Sequence, residues 1–105
     1  MNTSLDRTRV LLSIQRALLG AITPSMRLID ACWNEKQIQV RIVADSQSDT
    51  VVEDIANEIE AEIEGDFLPH ATVRVVVERA TKDAPVTDFK PSDGQCARVF
   101  SRRSD

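Results

Sequence analysis

The chain is poor in the residues that most enzymes and metalloproteins depend on. It has one histidine, His70, no tyrosine, one tryptophan and two cysteines among 105 residues. A single histidine rules out a Cys/His zinc cluster unless both cysteines and a scattered acid are recruited. His70 sits beside Pro69 at the start of a strand pattern, where the expectation is an exposed, solvated imidazole and not the base of a Cys-His pair. The three glycines, Gly20, Gly65 and Gly94, stand alone, so there is no glycine-rich phosphate loop, nucleophile elbow or dinucleotide fingerprint. Aromatics make up 4% of the chain, too few for a base-stacking platform. No apolar run approaches the roughly 20 residues that cross a bilayer. Residues 1 to 9 mix Asp6 with Arg7 and Arg9 and lead into no small-residue cleavage site, so no signal peptide is expected. Cys32 and Cys96 are read as reduced thiols, in keeping with a cytoplasmic setting.

What the chain does have is segregated charge. Residues 49 to 68 hold eight acids, Asp49, Glu53, Asp54, Glu58, Glu60, Glu62, Glu64 and Asp66, and no base. That stretch carries −8 and the remainder +4, which gives the net −4. An ordinary solvated helix mixes signs at i, i+4 for stability. A face of one sign attracts a cationic partner and repels nucleic acid. The competing reading is a solvated face that only confers solubility. Glu58 and Glu62, and Glu60 and Glu64, also align as carboxylate pairs. Carboxylate metal sites of helical bundles, however, point inward beside Glu-x-x-His motifs, and here isoleucines point inward.

The remaining pattern gives a fold class. With 42% hydrophobic and 29% charged residues, the chain reads as one globular domain over residues 1–105. Thr3-x-x-Asp6 opens a helix over about residues 5 to 19, with Val10, Leu11, Ile14, Ala17 and Leu18 on one stripe and Gly20 and Pro24 as the stop. Residues 26 to 33 form a strand that is apolar on nearly both faces, with Ile29, Ala31 and Trp33 on one of them. After a turn at Asn34-Glu35-Lys36, Ile38, Val40, Ile42 and Ala44 alternate with polar residues as a half-buried strand. Thr50 and Glu53 make a capping box for a second helix, whose stripe is Val52, Ile55, Ala56, Ile59 and Ile63 and which Gly65 closes. Ala71, Val73, Val75 and Val77 mark a third strand, residues 81–94 a surface loop, and 95–101 a short edge strand, with 102–105 frayed. The order α-β-β-α-β-(β) predicts an α+β, two-layer open-faced sandwich, mainly antiparallel, with both helices on one side. The first strand is expected between the second and third. Arg41, Arg74 and Arg79 are expected on the open face, too interrupted to form a nucleic-acid stripe.

The run Arg16-Ala17-Leu18-Leu19-Gly20-Ala21-Ile22-Thr23-Pro24-Ser25-Met26-Arg27 resembles the opening of a widespread family of small bacterial proteins. Trp33 before a short turn, the acidic helix and the closing Arg98-Val99-Phe100-Ser101-Arg102-Arg103 match it as well. Some members look like immunity proteins of contact-dependent inhibition or other polymorphic toxin systems. The resemblance implies a non-enzymatic cytoplasmic inhibitor, without cofactor or metal, whose partner is a cognate toxin. The loop 44–50 departs from the family pattern, which has more acids and an aromatic there. Independently, a toxin that cuts nucleic acid needs a basic cleft, and an acidic helix can imitate the polyanion. The expected partner surface is then Asp49, Glu53, Asp54, Asn57, Glu58, Glu60, Glu62 and Glu64. The alternatives are a structural or regulatory homo-oligomer pairing through its sheet, a homodimer included, and a small ligand-binding or enzymatic α/β domain.

Overall fold

The structure is a computed structural model that describes residues 6–46, 50–81 and 94–102. The elements run α1 (Arg7–Leu18), β1 (Met26–Trp33), β2 (Gln37–Asp45), α2 (Val51–Phe67), β3 (Thr72–Ala80) and β4 (Gln95–Ser101). The α+β class and the element order are as the periodicity predicts.

α1 begins one residue after Asp6, whose side chain accepts from the Thr8 N–H. Its buried stripe is Val10, Ser13, Ile14, Ala17 and Leu18. Gly20, at φ 75°, makes the left-handed turn that releases the chain toward β1. α2 departs from expectation at both ends. Thr50 makes no side-chain cap: its backbone is already helical, its carbonyl and not its hydroxyl takes the Glu53 N–H, and the Glu53 side chain pairs with Arg79 of β3. The helix also passes through Gly65 to Phe67, since stopping at Gly65 would leave the buried Phe67 out of the core. Leu68 and Pro69 end it instead.

The sheet order is β3-β2-β1-β4. β1 pairs antiparallel with β2 and with β4, while β3 lies parallel to β2. The sheet is therefore mixed, and β1 is central but lies between β2 and β4, not between β2 and β3. The tight turn after β1 forces a β1-β2 hairpin, and the α2 crossover delivers β3 parallel to β2 on its free side. Ile29, Ala31, Trp33, Ile38, Val40, Ile42 and Ala44 face the helices and join Val52, Ala56, Ile59 and Ile63 in one core, with Ile55 and Val75 packed against it.

Two local readings need correction. Cys32 and Cys96 stand opposite each other in the β1-β4 register and form a disulfide, with Cα atoms 4.0 Å apart. Strand pairing, which is not visible in linear spacing, brings them together. Arg102 is held in place: its N–H donates to Arg27 O at 2.7 Å, and its guanidinium reaches Pro24 O and the Asp45 carboxylate. Most of the expected loop 81–94 and residues 103–105 lie outside the described residues.

Candidate functional site

α2 sorts its acids by angle. On the flank over β3, Glu53 pairs with Arg79, and Glu60 accepts the Val75 N–H at 2.8 Å. On the flank toward α1, the Asp66 carboxylate takes Arg16 at 2.9 Å and the Ser13 hydroxyl, while the Asp66 carbonyl accepts from Arg9. The hydrogen bond from Arg79 holds the Glu53 carboxyl below its ordinary value. These three acids fasten the helix to its neighbours.

The outer ridge is different. Asp54, Asn57, Glu58 and Glu62 are exposed at helical spacing, and Glu64 is half-buried beside them. Asp54, Glu58 and Glu62 have no ion pair among the described residues. Each i, i+4 carboxylate pair costs an isolated helix about 0.2–0.5 kcal/mol. Acids in the last two turns also oppose the helix dipole, and no basic residue lies in the last turn. Asp54, in the first turn, gains from the dipole, but among the described residues no ion pair compensates Glu58 and Glu62. Of the eight expected partner residues, the structure thus sets Asp54, Asn57, Glu58 and Glu62 facing outward and gives Glu53 and Glu60 bonds within the fold. Asp49 lies outside the described residues.

The sheet face away from the helices is closed at its centre. Leu28, Asp30, Cys32, Arg41 and Val43 are each 7% exposed or less. A line of charges crosses all four strands there. Arg98 of β4 donates to Asp30 Oδ1 at 2.9 Å, Arg41 donates to Asp30 Oδ2 at 2.7 Å, and Glu78 of β3 lies 3.5 Å from Arg41. Burial pushes the Asp30 carboxyl up, but hydrogen bonds and charges from Arg98 and Arg41 outweigh it and hold the group below its ordinary value. Arg41 is therefore consumed inside the sheet. Arg79 lies on the helix side against Glu53, so of the three arginines expected on this face only Arg74 is both there and exposed.

A lone Asp30 in a strand apolar on both sides was the legible hint of this line, because a buried carboxylate needs a partner. The partners could not be chosen without the strand order. Among the described residues, no group of three His, Cys, Asp or Glu is placed to hold a metal, and no helix is long and apolar enough to cross a membrane.

The chain matches the MafI2 immunity protein family over residues 7–103. The chain belongs to this family. The match takes in every element from α1 to β4. Membership makes an immunity role the functional assignment and implies a cognate toxin as partner. No curated protein matches the chain.

Proposed function

We propose that this immunity protein neutralises a cognate nuclease toxin in the cytoplasm by presenting the outer ridge of α2 to the toxin's basic cleft. The observation that carries the reading is the exposed line Asp54-Glu58-Glu62, whose carboxylates repel one another at i, i+4 and have no counter-charge among the described residues. A local rule broken without a folding gain is what a functional surface looks like. Asn57 lies on the same ridge and adds hydrogen bonding. Glu64, Glu53 and Glu60 enlarge the field without standing free on the ridge, and Asp49 extends the charge ahead of the helix. A phosphate-binding cleft attracts such a surface, because the carboxylates stand where the nucleic acid backbone would. The protein acts by occlusion, without chemistry of its own.

The test uses a purified cognate toxin domain and measures its association rate with this chain at low and high salt. Asp54→Lys combined with Glu58→Lys reverses the middle of the ridge. Electrostatic steering raises association by roughly 10–1,000-fold, so the double variant should bind at least about tenfold more slowly at low salt, with a flatter salt dependence. Its thermal midpoint should change little, because exposed substitutions usually stay within about 0.5 kcal/mol. A wild-type association rate at low salt would sink the reading.

A further inference from the structure

We propose that Cys32–Cys96 is a reductant-accessible clamp that holds the edge strand β4 on the sheet and lets it loosen locally when the bond opens. Among the described residues β4 has a strand neighbour on one side only, β1. Its apolar side chains contribute limited burial: Ala97, Val99 and Phe100 are half-buried, and the other β4 residues are exposed. Two side-chain bridges reinforce the backbone ladder at successive positions on the face away from the helices. One is Asp30–Arg98 and the other is Cys32–Cys96. Just before the strand, Gly94 at φ 98° lies so close to the Trp33 carbonyl that no β-carbon would fit, which brings Cys96 into register with Cys32.

The two ends of the disulfide are not equivalent. Cys32 is 1% exposed in the middle of the sheet, whereas Cys96 belongs to the exposed edge strand. A dithiol reductant reaches the bond from the Cys96 side. Its thiolate attacks Cys96 Sγ, the S–S bond breaks, and Cys32 leaves as a thiolate that takes up a proton. The second thiol of the reductant then displaces Cys96. The products are two protein thiols and an oxidised, cyclised reductant, with two electrons and two protons passed to the protein. What the described residues then keep on β4 includes its backbone hydrogen bonds, the half-buried packing of Ala97, Val99 and Phe100, the Asp30–Arg98 pair, the Arg7–Gln95 hydrogen bond and the Arg102 contacts at its far end. An ion pair whose arginine is half exposed is screened by salt, so the reduced edge should open more readily and respond to ionic strength. The chain is stiffer in an oxidising compartment and looser at this one edge in a reducing one.

The test is hydrogen exchange of the full chain with and without dithiothreitol, alongside thiol counting by alkylation in denaturant. Protein purified without reductant should show no free thiol. After reduction, amides of 95–101 should exchange at least about tenfold faster, while those of β2 and β3 stay within about twofold. Cys96→Ser, a change at an exposed position, should show the fast β4 exchange from the start and no response to dithiothreitol. Two free thiols in the unreduced protein would overturn the clamp. So would unchanged β4 exchange once both thiols are counted, or acceleration across the whole sheet, which would make the bond a global staple.

Discussion

Removing the charge of Asp30 tests the line of ions across the sheet. Arg41 is 1% exposed, and its shortest ion pair is the 2.7 Å bond to Asp30. Glu78, a second carboxylate near it, stands at 3.5 Å and is half exposed, so its charge is well screened. Asp30→Ala therefore takes away the closest counter-charge of a guanidinium buried in the sheet, and breaking a buried pair from one side costs about 3–5 kcal/mol. Arg41→Met is gentler, because Asp30 keeps Arg98; about 1–3 kcal/mol is expected. Asp30→Val with Arg41→Met removes both charges and fills the space with apolar groups, and should return to within about 1 kcal/mol of the wild type. Urea unfolding of the four proteins, with midpoints compared at constant m, reads the cycle. If Asp30→Ala costs less than about 1 kcal/mol, or if the double variant costs the sum of the singles, the pair is not a buried, mutually dependent unit.

Two further outcomes follow from the same structure. Ile59 is 1% exposed in the core, so Ile59→Ala should destabilise by about 2–5 kcal/mol in a denaturant titration, and a loss under about 0.5 kcal/mol would mean that α2 is turned differently. Asp30 and Glu53 have folded values below their ordinary 3.8 and 4.5, so each contributes stability that is present above those values and lost as pH falls through the lowered folded ones. Thermal midpoints should hold down to about pH 5, then fall below about pH 4. Asp30→Asn should flatten that acid limb, and a variant with the same acid slope as the wild type would show that Asp30 does not govern it.

Much of the fold could be read from residue order alone, where one buried face dominates. Strict alternation from Ile38 to Ala44 and the stripe from Val52 to Ile63 each define a face without outside help. What could not be read depends on neighbours brought in by the chain's path. Cys32 and Cys96 are 64 residues apart and meet only because β4 returns beside β1. Gly65 carries a helix-stop signal that the burial of Phe67 overrides. The acids of α2 were visible as a block, but their division into fasteners and free ridge depends on where Arg79, the Val75 amide and Arg16 lie. All of these partners belong to other elements, so helical angle alone could not separate Glu60 from Glu58.

Glu60 has a consequence for how crowded copies of this protein behave. Among the described residues β3 is an edge strand, and the edge of a sheet is a row of backbone groups open to any other strand. The Glu60 carboxylate occupies the amide of Val75, midway along that row. An incoming chain seeking to extend the sheet must strip off a charge-assisted bond at the centre of its landing site and leave a carboxylate unsatisfied beside it. α2 thus works as a fender along the sheet's flank, and it favours the chain remaining dispersed when it accumulates ahead of its partner.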